Sequence, residues 1–191
     1  LILTAESSAG GSTLSSAEET LTIHSQSGHD LVGSDRGDWL FGSTGSDRIL
    51  GGLGDDVIRG GQGNDILSGG AGSDLFVWGQ GDEGTATQPA IDTVTDFHPE
   101  EGDKIDLADL LKGVTDNSVD GLLGHLSASV TTGSAGLSDV NLSVSPAGDG
   151  QVTQQITLKG VDLSGWNLSG SSSHDILQSM LDQHSLIIQH P

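Results

Sequence analysis

The chain has 191 residues, with 27 acidic side chains against 6 basic ones, a formal net charge of −21, 30 glycines and no cysteine. Such acidity argues against nucleic acid as a partner and against anionic membrane surfaces, and no stretch is apolar for long enough to insert in a membrane. Without cysteine there is no disulfide, so a glycine-rich chain of this kind needs another staple.

Residues 1–27 are rich in Ser, Gly and Thr and read as an extended lead-in. Its one alternating stretch, Leu21-Thr22-Ile23, is expected to form a single strand that pairs with the first coil of the adjoining region. Leu1-Ile2-Leu3 is too short for a signal peptide, lacks basic flanks and is followed by Glu6. The chain does not begin with methionine and reads as a fragment of something longer.

From Gly33 to Val77 the chain repeats every nine residues, through five consecutive copies. An aspartate stands sixth in each: Asp38, Asp47, Asp56, Asp65 and Asp74. A bulky apolar residue stands eighth: Leu40, Ile49, Ile58, Leu67 and Phe76. The last three copies, GGLGDDVIR, GGQGNDILS and GGAGSDLFV, follow G-G-x-G-x-D-x-U-x at every defined place. Arg36 interrupts the first copy, and Gly28-His29-Asp30-Leu31-Val32 reads as an earlier copy short of one residue, so a weakened or capped edge is expected there.

One apolar side chain per copy cannot build a core within a copy, so neighbours must stack. The last three residues of each copy suit a short strand, with the eighth side chain inward and the seventh and ninth outward. The first six must turn tightly, which glycine permits. Two copies make one coil, so aspartates of alternate copies lie about one strand spacing apart, roughly 4.8 Å. Unit charges at that distance repel by about 1 kcal/mol in water and by several times more where partly buried. A hard divalent cation held by oxygen removes the repulsion. Calcium accepts carboxylates and carbonyls together, magnesium demands stricter octahedral geometry, and zinc prefers nitrogen and sulfur, which these turns lack. A flexible linker would not hold an apolar residue in phase over five copies. A phosphate site is excluded by the absence of a following helix and by the net charge.

After the repeats, a loop from Gly79 to Pro89 leads to the alternating stretch Ile91 to Phe97. A turn from His98 to Asp103 comes next, then Lys104-Ile105-Asp106-Leu107 and a short helical segment from Ala108 to Lys112. Residues 125–132, 138–145 and 152–159 read as strands, the last two flanking a hairpin loop at 146–150. Ser172 to Asp175 is a capping box for a helix with Ile176, Leu177, Met180 and Leu181 on one face, and Leu186-Ile187-Ile188 ends the chain as a short strand. The outward residues Trp39, Val57 and Leu75, with Phe41 and Val77, would form an apolar face, which the post-repeat region, or failing that a partner copy, is expected to cover, leaving the Arg48 face wetter. Asp103, Asp106 and Asp109 read as a solvated corner, and the seven scattered histidines as surface residues.

The nonapeptides resemble the calcium-binding repeats of repeat-in-toxin (RTX) proteins. IDTVTDFHPEEGDKIDLADLL resembles the segment after the β-roll in serralysin-type proteases and RTX adhesins, and ITLKGVDL with ILQSMLDQHSLII resembles the C-terminal target region of type I secreted RTX adhesins. The fold so implied is mainly β: a parallel β-roll, a right-handed solenoid, followed by a small β-rich region with one or two short helices. Its parts would be residues 28–90, the calcium-binding roll, and 91–191, a capping region carrying the secretion signal. Calcium, about four to five ions, would bind the sixth-place aspartates and turn carbonyls at Gly33, Gly42, Gly45, Gly51, Gly52, Gly54, Gly60, Gly61, Gly63, Gly69, Gly70 and Gly72. By the serralysin pattern a further ion would use Asp82 and Asp92.

The resemblance implies a non-catalytic folding and export module of a monomer secreted to the medium or the bacterial surface. Its partner would be a type I exporter that reads the C-terminal end, and its parent a large adhesin. The alternatives are the tail of a secreted protease or lipase, whose H-E-x-x-H or G-x-S-x-G motif is missing from these residues, and a ligand-binding module in its own right.

Overall fold

The computed structural model describes the backbone of residues 3–7, 12–13 and 21–25, and residues 30–190 apart from 117, 134, 135, 167, 169 and 171. Two sheets form the two walls of a roll, and the chain alternates between them. One contains β1 (Leu3–Ser7), β3 (Leu21–Ser25), β5 (Trp39–Phe41), β7 (Val57–Arg59) and β9 (Leu75–Val77). The other contains β2 (Ser12–Thr13), β4 (Asp30–Val32), β6 (Arg48–Leu53) and β8 (Ile66–Ala71). All neighbours among these strands run parallel. Each repeat strand starts at the seventh residue, as its alternation predicts, and the eighth-place residues fall into register: Leu40 with Ile58, Ile58 with Phe76, and Ile49 with Leu67. All five of these side chains are fully buried, as is Leu31 one level earlier. The mainly β architecture, a parallel roll followed by β-rich structure with two short helices, is the one expected.

The lead-in goes further than one strand. Its three strands alternate between the sheets as the repeats do, and β3 pairs with β5 while β2 pairs with β4. The imperfect copy at Arg36 is therefore an interior level of the roll rather than its edge.

The post-repeat region does not lie over the Trp39 face. It continues the sheets at their C-terminal edges. β10 (Ala90–Val94) adds to β8, and β11 (Lys104–Asp106) adds to β9. β12 (Leu126–Thr132), β13 (Ser138–Val144) and β14 (Gln154–Val161) form an antiparallel meander whose last strand runs parallel to β10. β15 (Leu186–Ile187) adds to β11. Trp39 stays 51% exposed, with Val57 and Leu75 half-buried beside it in the same sheet. Edge pairing wins because an open sheet edge carries a row of unpaired N–H and C=O groups, which docking on a face would leave unmet.

The same continuation merges the cores. Phe76 packs toward Phe97, ring centroids 6.4 Å apart, and one buried apolar cluster runs from Leu31 through Trp78 and Ile105 to Leu186. Two helices close the far end. α1 (Val119–Leu122), capped by Ser118, escaped the sequence reading because a single turn carries too little periodicity. α2 (Ser173–Asp182) has the expected cap, the Ser172 side chain accepting from the Asp175 N–H, and buries Ile176, Leu177 and Met180. Ala108 to Lys112 forms turns rather than a helix, with Gly113 at φ +110° ending the run.

Candidate metal centre

The turns between strands make two stacks. Turns 33–38, 51–56 and 69–74 lie on one side of the roll and 42–47 and 60–65 on the other, as the alternation of the strands requires. In each stack the aspartates are linked by the backbone. The Asp38 N–H donates to Asp56 Oδ1 at 2.7 Å and the Asp56 N–H to Asp74 Oδ1 at 2.9 Å. Across the roll, the Asp47 N–H donates to Asp65 Oδ1 at 2.8 Å. All five carboxylates are buried.

The post-repeat region supplies another level to both stacks. The Asp65 N–H donates to Asp92 Oδ1 at 2.8 Å, and the Asp74 N–H to Asp103 Oδ1 at 2.9 Å. Asp92, expected to share a further ion with Asp82, is buried as a level of the ladder. Asp103 and Asp106 are buried as well, against the expectation of a solvated corner, while Asp109 is exposed. The missed signal is the spacing itself. Asp92-Thr93-Val94 and Asp103-Lys104-Ile105 repeat the aspartate-to-apolar step of the nonapeptides, and Val94 and Ile105 fall into register with Leu67 and Phe76.

The second oxygen of each carboxylate separates the aspartates into two groups. Asp92 Oδ2 accepts from Trp78 Nε1 at 2.7 Å and Gln154 Nε2 at 2.8 Å, and Asp103 Oδ2 accepts from the His98 N–H at 2.8 Å. Asp38 Oδ2 accepts from the Ser34 N–H and hydroxyl, and Asp47 Oδ2 from the Ser43 N–H. By contrast, Oδ2 of Asp56, Asp65 and Asp74 is buried without a hydrogen-bond partner among the described residues. Asp82 is buried too, but Arg59 holds both its oxygens, at 2.7 and 2.8 Å, and the Gly79 N–H joins them at 2.8 Å.

Buried anions without partners are costly. Burial, reinforced by neighbouring acids, pushes Asp56 and Asp65 up to about 7 from an ordinary value of 3.8, and Asp74 upward as well. Burial raises Asp92 and Asp103 to about 6 despite the donors that surround them. A group whose folded-state pKa is raised adds stability below its unfolded value and loses that contribution as pH rises through the folded value. Metal-free protein is therefore expected to melt higher at about pH 5 than at about pH 8, its stability falling from about pH 4, the ordinary carboxylate value, and levelling off above about 7, the raised folded-state value. Calcium binds the ionised form, so its stabilisation follows the opposite trend. Thermal melts with and without chelator across this range check both signs.

The turns fit a calcium ion. First-place glycines bring the chain onto the carboxylates: a Cβ on Gly51, Gly60 or Gly69 would overlap Oδ2 of Asp56, Asp65 or Asp74. Carbonyls stack alongside, those of Ser34, Ser43, Gly45, Gly52 and Gly54 lying against Gly52, Gly61, Gly63, Gly70 and Gly72 one level on. Gly33 and Gly42 sit against the carbonyls of Gly51 and Gly60. Among the described residues no three His, Cys, Asp or Glu converge on a common point, so an ion here needs carbonyls as well as carboxylates. That is the donor set of calcium and not of zinc. Asp56, Asp65 and Asp74 would hold the ions through their open oxygens, and the ions would supply the positive charge that the ladder lacks.

The RTX calcium-binding nonapeptide repeat family model, of four copies, matches residues 32–67 and 41–76. No curated protein matches the chain. Among solved structures, the chain is similar to the AlgE6R2 subunit of the Azotobacter vinelandii mannuronan C5-epimerase, at 23% identity over 84% of this chain and 92% of that one, with a TM-score of 0.49. It is also similar to the AlgE6R3 subunit of the same enzyme, at 27% identity over 82% of this chain and 80% of that one, with a TM-score of 0.28. Residues 32–76, which match the RTX calcium-binding nonapeptide repeat, are wound here as a β-roll that binds calcium.

Proposed function

We propose that this chain is a non-catalytic module that keeps a secreted protein unfolded for export through a type I exporter and folds it on meeting extracellular calcium. The observation that carries this reading is the set of three buried carboxylate oxygens, unpartnered among the described residues, in the two stacks of glycine turns. Left unneutralised they oppose folding at neutral pH; with calcium they become its fastening. The C-terminal end fits the same sequence of events. Leu186–Ile187 is a strand of the roll's own sheet, paired with Ile105 and Asp106, and α2 packs against β12 and β15. An exporter that reads this end must do so before the roll forms, since folding covers Leu186 and the apolar face of α2. The parent that best suits a post-repeat region of this length is a large adhesin at the bacterial surface.

Export of the full chain, with and without residues 186–191, from cells carrying a type I exporter tests the reading. Removal of the six residues is expected to abolish secretion, and a variant that folds prematurely in the cytosol is expected to be retained. Undiminished secretion of the truncated chain would rule the export role out. A second reading, ligand binding by the roll itself, is favoured by Trp39, which stands 51% exposed with Phe41 tilted beside it, centroids 6.3 Å apart. Loss of secretion on truncation separates the two, because a binding face has no stake in the C-terminal strand.

A further inference from the structure

The two groups of aspartates differ at one place in the repeat. We propose that the second residue of each nonapeptide decides whether its aspartate is open to metal, so that the strong ions sit at Asp56, Asp65 and Asp74 while Asp38 and Asp47 are closed by the protein itself. This inference rests on the calcium-binding reading of the repeats and assigns which of this chain's aspartates act in it.

In the third, fourth and fifth copies the second residue is Gly52, Gly61 or Gly70, at φ +120°, +95° and +101°. That region is open to glycine and disfavoured for other residues. With the peptide turned this way, the second-place N–H does not reach the aspartate of its own copy. In the fifth copy it donates instead to Asp96 Oδ2 at 3.0 Å. The carboxylate is left with an oxygen that is buried and unmet.

In the first two copies the second residue is Ser34 or Ser43, neither of which adopts positive φ. There the second-place N–H points into the turn and donates to the copy's own aspartate, Ser34 to Asp38 Oδ2 at 2.6 Å and Ser43 to Asp47 Oδ2 at 2.8 Å. The Ser34 hydroxyl adds a second donor at 2.8 Å. The Ser43 hydroxyl is itself buried without a partner, so the backbone N–H and not the hydroxyl is the feature common to both closed turns. A carboxylate oxygen that already accepts from a backbone amide has that lone-pair direction filled, and a cation must displace the donor to use it. The serine turns thus form metal-independent levels of the roll, on which the calcium-dependent levels are stacked.

The test is the calcium stoichiometry of the full chain, titrated with calcium chloride alone and read by native mass spectrometry and calorimetry. Asp56→Asn, Asp65→Asn and Asp74→Asn are each expected to lose about one ion, whereas Asp38→Asn and Asp47→Asn lose none. Ser34→Gly and Ser43→Gly are each expected to gain about one, because glycine can turn the N–H away. Ser34→Ala, which removes the hydroxyl but keeps a negative φ, is expected to gain none. An ion lost from Asp38→Asn or Asp47→Asn, or no gain in either glycine variant, overturns the proposal, and these variants decide it even where a central Asn variant fails to fold. A wild-type chain that binds no calcium overturns the calcium reading itself.

Discussion

Chelation of calcium at about pH 7.5 is expected to unfold most of the roll. A ligand that binds only the folded state stabilises it by about 2.7 kcal/mol per site at a hundredfold excess over its Kd. Three open carboxylates therefore correspond to about 8 kcal/mol, which is comparable with the whole stability of an ordinary domain. Without the ions, that contribution is replaced by the cost of buried anions, because this pH lies above the raised pKa values of Asp56 and Asp65. Far-ultraviolet circular dichroism during a calcium titration of chelated protein should show the β signature growing cooperatively. Magnesium at the same concentration should restore less of it, because it holds its water and tolerates irregular coordination poorly. A β signature and melting temperature unaffected by chelation would contradict the expectation. Within the series, Asp65→Ala should cost more bound calcium than Asp38→Ala, since Asp65 has an open oxygen and Asp38 does not.

Gly63→Ala is expected to be among the most damaging single substitutions in the chain. Gly63 is the fourth residue of its copy and sits at φ +138°, outside the regions that alanine favours. A Cβ there would also run into the backbone carbonyl of Gly45, one level earlier in the stack. Backbone cannot rotate away as a side chain tip can, so the turn must open and lose the Gly45 N–H bond to the Gln62 carbonyl at 2.7 Å. The loss should exceed about 3 kcal/mol, lowering the melting temperature of the calcium-loaded protein by roughly 6–12 °C. Gly81→Ala is the matched control. Its φ is +95°, but nothing lies within 4 Å of the added Cβ, so only backbone strain of about 1–2 kcal/mol remains. Equal melting temperatures for the two variants would show that close stacking of the turns contributes nothing.

The pattern of aspartate sixth and apolar residue eighth was enough to place the strands, their inward side chains and the carboxylate ladder. Each copy repeats the same local problem: one side chain to bury, one charge to neutralise, one turn to make. A period that solves it once solves it at every level, and so Leu40, Ile58 and Phe76 align without any long-range information. The ladder's extension to Asp92 and Asp103 was legible by the same spacing, but the intervening loops of irregular length hid it. The serralysin pattern assigns Asp82 to a further ion, but its partner Arg59 lies two strands away in sequence and one level away in space, which no local pattern reports.

Sequence by itself determined the period, the register and the need for an oxygen-bound cation, because all three follow from one short pattern that returns every nine residues and stacks on its own copies. Tertiary structure alone decided where the post-repeat region goes. The apolar outward residues Trp39, Val57 and Leu75 pointed to a docked face, but the unpaired backbone at the end of each sheet outweighed them, and β10 and β11 prolong the roll instead. It also decided which aspartates keep an open oxygen. That depends on the direction of the second-place N–H, which differs between Ser34 and Gly52 only once the turn has folded and its backbone dihedral is set.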